Sequence, residues 1–408
     1  MLVRLRLENF YSFKDSTIEF GEDQNIVVGT NGSGKSNLFK AIKLLKMGLA
    51  GGQDSLQRFI MIECGGFDNI FYRGIVKREK NEDEFFALTF TFDKEQLKWA
   101  DSSWIFKDNV RYEIKVTKVE GSANYFITEK ICNETAGMRG QHFIFLDFSG
   151  GKGVVNERIS EENTEFLKLV NYSDFNPNDL VLSQINDSDR YKALTTLKRI
   201  LSNIYLYDPI DTSKDSPIRN PSQISTNTFL FNDGSNLGYV LNSFKLRQKD
   251  VFKAISKNLF TVNNSVEGID FDISGGRIEI LLQERGLNSA IPINSLSDGT
   301  LKFFCLVTIL LNSAKPAILC IDEPEVGLHP DMIRIIGRLV ANYEGKIIVN
   351  THSDILLNNF DYENLLVFEK DESNATIVKS FTDEEMLYWI ENYSLGALWQ
   401  KGVLGGIR

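Results

Sequence analysis

One eight-residue run constrains this chain more than any other. Gly29-Thr30-Asn31-Gly32-Ser33-Gly34-Lys35-Ser36 fits G-x-x-x-x-G-K-[ST], and its setting fits as well. An apolar run, Asn25 to Val28, leads into it as a short strand. Leu38, Ile42 and Leu45 follow at helical spacing, so a helix leaves it. Glycines at these positions let backbone N–H groups turn inward around a phosphate, and the start of the helix adds its positive end. Lys35 is placed to reach the β- and γ-phosphates of a nucleotide, and the Ser36 hydroxyl to bind Mg²⁺. Asn31, Gly32, Ser33, Gly34, Lys35, Ser36 and Asn37 are therefore the expected nucleotide-binding residues.

The rest of the chain is compatible with a nucleotide-dependent globular protein. Its 408 residues, 42% hydrophobic and 25% charged, exclude a disordered or fibrous chain and allow about two to three domains. A net charge of −10 means that nucleic acid would have to be bound by a local basic patch. Such a patch is offered by Lys245, Lys249, Lys253 and Lys257, which recur every four residues on one expected helix, Ser235 to Phe260. A solvated face is the other reading of that stripe. No apolar run approaches the roughly 20 residues needed to span a bilayer. Cys64, Cys132, Cys305 and Cys320 are too widely spaced for a zinc knuckle or a disulfide framework. A cytoplasmic protein with no membrane contact is expected.

The pattern along the chain is α/β. Period-two runs between Glu84 and Phe148 read as antiparallel strands. Residues 155–205 read as mainly helical, and 208–234 as an exposed loop carrying three of the eight prolines. Ile269 to Ile273 and Arg277 to Leu282 read as two strands around Gly275-Gly276. From Leu296 the order helix, strand 317–321, helix 331–343, strand 346–350 implies a parallel sheet. No heptad repeat persists, so no long coiled-coil arm is expected. This gives a split head from 1–100 and 265–370, a mixed β/helical insertion at 101–264, and an aromatic tail at 371–408.

Two further motifs carry chemistry. Ala317-Ile318-Leu319-Cys320-Ile321 ends in Asp322-Glu323; Asp322 can complete a Mg²⁺ shell and Glu323 can polarise an attacking water. Leu296-Ser297-Asp298-Gly299-Thr300 precedes an apolar helix, with Ser297 a good N-cap.

Together with Glu323-Pro324-Glu325-Val326-Gly327-Leu328-His329-Pro330 and Thr351-His352-Ser353, these motifs resemble the OLD-like and RecF/SMC-like branch of ABC-type ATPases. Asp298 stands where the family's usual signature has glycine. The resemblance implies a P-loop ABC-type head that binds ATP and Mg²⁺ and works as a homodimer or higher even oligomer. By the same resemblance Ser297, Asp298 and Gly299 meet the nucleotide of the other subunit, Glu323 and His352 are catalytic, and residues 325–330 line the dimer seam. His329 is either structural there or catalytic. Tyr11 replaces a basic residue that relatives carry beside the nucleotide, and Gln53 or Gln57 is the candidate for the remaining Mg²⁺ ligand.

Compact ATPases of this kind resemble the subunits of two-gene phage-defence systems such as PARIS and Septu, which implies a separately encoded effector, a nuclease. The 56 residues after His352, with Asp371, Asp383, Glu384 and Glu385, are too few for a Toprim nuclease within this chain. The alternative is a RecF-like repair ATPase that binds DNA itself. The tail, with Tyr388, Trp389, Tyr393, Leu395, Leu398, Trp399, Gly402, Gly405 and Gly406, is expected to dock either on its own head or on a partner.

Overall fold

The N-terminal strand Leu2–Phe10 alternates buried leucines with charged residues, as expected of a sheet with one face inward. It belongs to an eight-stranded antiparallel sheet in a computed structural model that describes residues 1–50, 55–74, 83–100, 106–122, 124–137, 140–161, 164–381, 389 and 392–404. The spatial order is Phe13–Glu19, Leu2–Phe10, Phe85–Phe92, Val110–Lys118, Tyr125–Asn133, Ile144–Ser149, Lys152–Glu161 and Thr164–Tyr172. Phe86, Leu88, Phe90, Tyr112, Ile114 and Ile131 are fully buried on it.

This sheet corrects two expectations. The stretch expected to be helical from residue 155 begins instead with the sheet's last two strands, Lys152–Glu161 and Thr164–Tyr172. Gly150 and Gly151, at φ 56° and 79°, make the two-residue turn that pairs Ser149 with Lys152. Positive φ at both central residues is the geometry that matches strand twist in a tight hairpin, and Gly-Gly supplies it without steric cost. The boundary expected at residue 100 also falls inside the sheet, because Phe85–Phe92 pairs along its whole length with Val110–Lys118.

The chain divides into two compact units. The first comprises residues 1–22, 29–205 and 366–380. Besides the large sheet it holds the loop helix Lys35–Ala50, whose Leu38, Ile42, Leu45 and Leu49 form a buried stripe. Shorter helices Val181–Gln184 and Lys192–Ser202 follow. Its hairpin pairs Val367–Lys370 with Thr376–Lys379. The buried Glu129 ties sheet to helix: its carboxylate accepts from Tyr112 Oη (2.7 Å) and from the N–H groups of Val181 and Leu182. Burial pushes this carboxyl up to about 7, and those three donors hold it from rising further.

The second unit comprises residues 23–28, 206–365 and 381–408. Its centre is parallel: Ile318–Asp322 lies beside Ile347–Asn350, which lies beside Gln24–Gly29, with Asp322 opposite Asn350 and Asn350 opposite Val27. The strands are almost wholly buried, as parallel strands are when helices cover them. Helix Asp298–Leu311 is buried over most of its length, and Pro330–Ala341 buries Ile333, Ile335, Ile336 and Val340. A second sheet pairs Val266–Ser274 with Arg277–Glu284 around Gly275-Gly276, as expected of a strand pair there, with Ser274 opposite Arg277.

The single helix expected over 235–260 is two: Leu237–Arg247 and Lys249–Val262, broken at Gln248 (φ −134°, ψ 62°). Lys245 therefore leaves the basic stripe. It turns to Asp270 Oδ1 (3.0 Å) and the carbonyl of Ile269, while Lys249, Lys253 and Lys257 stay exposed on the second helix. Among the described residues no helix exceeds 16 residues, and none is long and apolar enough to cross a membrane.

Candidate functional site

The phosphate loop is built within the first unit. The loop helix begins at Lys35, so the N–H groups at its start have no intrahelical acceptors. Lys35 is buried; its Nζ donates to the carbonyls of Gly29 (2.7 Å) and Thr30 (3.0 Å), which keeps the charge inside the loop's curl. Asn31, Gly32 and Ser36 are exposed, whereas Ser33 and Gly34 are buried. Gly34 sits at φ 110°, and a Cβ there would lie 2.4 Å from Thr376 Oγ1 and 2.7 Å from Ser12 Oγ.

That crowding identifies a support which sequence reasoning did not find. Thr376 Oγ1 donates to the Ser33 carbonyl (2.6 Å), lies 2.7 Å from Ser12 Oγ, and accepts from Lys370 Nζ (3.2 Å). Asn37 Nδ2 donates to the same Ser12 hydroxyl (2.9 Å). Beside these residues opens a cavity of about 350 Å³, lined among others by Tyr11, Asn37, Asn69, Arg73 and Lys370. Tyr11 stands at φ 49°, with the Lys40 ammonium 4.2 Å from its ring centre. Gln57 is exposed on the short helix Ser55–Arg58, and Gln53 lies outside the described residues.

The acidic strand end is built within the second unit. Asp322 Oδ1 accepts from Asn350 Nδ2 (2.5 Å), its partner in register. Glu323 stands at φ 43°, a left-handed conformation that costs a non-glycine residue about 1 kcal/mol or more. Its own N–H donates to the Asn350 carbonyl (2.9 Å). Lys302, buried on the helix Asp298–Leu311, donates from Nζ to the carbonyls of Val326 (2.7 Å) and Glu323 (3.5 Å) and so clamps the turn. Burial pulls the Lys302 ammonium below the ordinary lysine range, against the pull of Glu325 and Glu323.

His352 follows the next strand. Its Nε2 is 3.8 Å from Glu323 Oε1, and its N–H donates to Glu325 Oε1 (2.6 Å). Burial raises the Glu325 carboxyl, and the His352 N–H opposes the rise. The structure thus brings together Asp322, Glu323, Glu325 and His352 with Asn350 and Lys302, two residues that motif reading overlooked.

The serine-glycine corner lies in the same unit. Ser297 is the N-cap, its Oγ accepting from Thr300 N (3.3 Å), and both Ser297 and Asp298 face solvent. Gly299 approaches the turn after Glu323 so closely that a Cβ would lie 2.7 Å from the Gly327 carbonyl. Arg219, from the loop at 208–234, holds the corner. It donates to the carbonyls of Thr212 (2.9 Å), Asn294 (2.6 Å) and Leu296 (3.1 Å), and pairs with Asp298.

His329 is an exposed N-cap whose Nδ1 accepts from Asp331 N (3.4 Å). The tail helix Leu395–Gln400 docks on its own unit, against Asp354–Leu357. Tyr388, Asp383, Glu384, Glu385, Gly405 and Gly406 lie outside the described residues.

A family model described as "AAA domain, putative AbiEii toxin, Type IV TA system" matches residues 136–358, and a second, described as an AAA domain, matches 4–206. An ATP/GTP phosphatase of Helicobacter pylori (strain ATCC 700392 / 26695) is 21% identical over 96% of this chain and 98% of its own. A DNA double-strand break repair Rad50 ATPase of Thermoplasma acidophilum is 37% identical, but over 20% of this chain and 10% of its own. An Smc head domain with an extended coiled coil, bound to the C-terminal domain of ScpA derived from Pyrococcus furiosus, superposes with a TM-score of 0.56 at 14% identity. It covers 96% of this chain and 98% of that one. The fold is that of an SMC-type α/β ATPase head.

Proposed function

Since the chain belongs to this AAA-domain family, and is an ATPase of the AAA/ABC type related to SMC, Rad50 and RecF heads, we propose that it hydrolyses Mg²⁺-bound ATP to ADP and phosphate as a dimer, or a higher even oligomer, closed around the nucleotide. The observation that carries the reading is the register of the parallel strands. Val27, Asn350 and Asp322 stand in one row, Asn350 and Asp322 at the carboxyl ends of their strands and Val27 two residues before that end, with the phosphate loop beginning two residues past Val27 and Glu323 one residue past Asp322. Ligands of open parallel sheets bind at that end.

In this reading Lys35 and the loop N–H groups hold the β- and γ-phosphates. Ser36 and Asp322 supply hard oxygen ligands of the kind Mg²⁺ takes, and the ion, when bound, neutralises phosphate charge. Glu323 orients the attacking water and accepts its proton, and His352 follows the state of the γ-phosphate. Ser297, Asp298 and Gly299 reach the nucleotide held by a second copy, which their position at an exposed corner supports.

Removing the base while keeping its shape tests the mechanism. Glu323→Gln is expected to lower phosphate release about a hundredfold or more, and to accumulate ATP-loaded dimers in light scattering. Hydrolysis at the native rate by this variant overturns the assignment.

Beyond the ATPase, the OLD-like resemblance to PARIS- and Septu-type subunits leads us to a finer reading: control of a separately encoded effector, a nuclease, in anti-phage defence. The family description, which names the AbiEii toxin and a type IV TA system, supports that direction. The RecF-like alternative rests on the exposed Lys249, Lys253 and Lys257. Turnover stimulated by duplex DNA and lost steeply with salt would favour it over effector control.

A further inference from the structure

We infer that Trp399, on the tail helix, is a positioning residue for His352. The inference rests on the proposed role of His352 at the γ-phosphate. The His352 main chain is fixed, because its N–H is tied to Glu325 and the next residue, Ser353, caps the helix Asp354–Leu357. The His352 side chain is 30% exposed, with Nε2 3.8 Å from Glu323 Oε1. The Trp399 ring meets it in a T-shaped contact, with centroids 6.2 Å apart and planes at 61°. Such a contact has a preferred geometry and limits the imidazole to rotamers that keep it.

The ring is itself held. Ser394 caps the tail helix, Leu398 is fully buried, and Gly402 at φ 75° ends the helix with Val403 N donating to the Leu398 carbonyl (3.1 Å). The docking is to the very helix that follows His352. Gly396 N donates to Asn358 Oδ1 (3.0 Å), and Gln400 Nε2 donates to Asp354. The helices approach so closely that a Cβ on Gly396 would lie 2.5 Å from the Asp354 carbonyl. One short element therefore grips both the imidazole and the backbone just beyond it. In this arrangement the C-terminal segment sets the geometry of a residue 47 positions upstream.

Steady-state ATP hydrolysis and ATP affinity of the full chain test this, using Trp399→Ala, Trp399→Phe, Gly396→Ala and His352→Ala. Trp399→Ala should lower kcat about tenfold while KM and the ATP Kd stay within about twofold, since orientation and not binding is lost. Trp399→Phe should restore most of kcat by keeping a ring edge. Gly396→Ala, which forces the helix off its seat with Trp399 intact, should reproduce the alanine phenotype. If His352→Ala is inactive but Trp399→Ala turns over at the native rate, the positioning role is wrong and the role of His352 stands. The positioning role also fails if Trp399→Ala loses kcat, ATP affinity and Tm together and Trp399→Phe recovers none of them. If His352→Ala turns over at the native rate, the assignment of His352 itself fails and takes this inference with it.

Discussion

At the scale of single residues, the corner Ser297–Gly299 depends on one arginine that no motif contains. The ion pair of Arg219 with Asp298 contributes little, because the Asp298 side chain is 72% exposed and water screens it. The guanidinium is another matter. Its side chain is 11% exposed and its N–H groups satisfy the carbonyls of Thr212, Asn294 and Leu296. Charged hydrogen bonds of this kind contribute about 1.5–3 kcal/mol each before partial replacement by water. Arg219→Ala should therefore destabilise the chain by about 2–3 kcal/mol, and should weaken ATP-driven dimer formation while leaving monomer affinity for ATP intact. Arg219→Lys should not rescue it, because one ammonium cannot reproduce a planar fork that reaches several carbonyls. Unchanged Tm and unchanged dimer formation in Arg219→Ala would show that the corner holds its shape without the fork.

At the scale of elements, the hairpin formed by Val367–Lys370 and Thr376–Lys379 is a strut for the phosphate loop. Thr376 joins Ser12, Ser33 and Lys370 through one hydroxyl, and its N–H donates to the Ser12 carbonyl (2.7 Å). Thr376→Val keeps the volume and β-branching but leaves a buried carbonyl and a hydroxyl short of a partner, at a cost of about 1–3 kcal/mol. Part of that cost should appear as weaker ATP binding, because the loop carbonyl of Ser33 loses its tether. Titration with ATP and thermal unfolding check the two shares, and a variant indistinguishable from the parent in both would refute the strut. The elements that sequence analysis misassigned fail for identifiable reasons. Gly150-Gly151 is a hairpin signal, but the strands beyond it bury a charged residue, Glu157, and expose Leu167 and Leu169, so no clean apolar alternation marks them in the sequence. The break at Gln248 has no glycine or proline to announce it.

At the scale of the molecule, stability should depend on pH through Glu129, the carboxyl that joins the large sheet to the helix Val181–Gln184. Folding raises it from an ordinary value of 4.5 to about 7. Between those limits the native state holds a proton that the unfolded chain has released, so this group's contribution to stability is fully present below about pH 4.5 and falls as pH rises through that window to 7. The loss should be about 3 kcal/mol once pH exceeds 7. Glu129→Gln, neutral at every pH, should flatten this part of the profile in Tm measured from pH 5 to 8. A parent Tm that climbs over that interval in step with the variant would contradict it.

The strand, loop and helix that frame the phosphate-loop motif, and the strand that ends at Asp322, were legible in the chain because their parts are local. A phosphate loop needs glycines and a lysine within eight residues, and an acidic strand end needs an apolar run followed by Asp322-Glu323; neighbours in sequence suffice to define both. The alternation of strand and helix after Leu296 was legible for the same reason, since periodicity is a property of adjacent residues. What holds those parts in working geometry was not. Arg219 reaches Asp298 across 79 positions, Thr376 reaches Ser12 across 364, and Trp399 reaches His352 across 47. Each of these contacts exists only because folding lays distant segments side by side, and an arginine, a threonine or a tryptophan carries no mark in sequence of which distant atom it will meet.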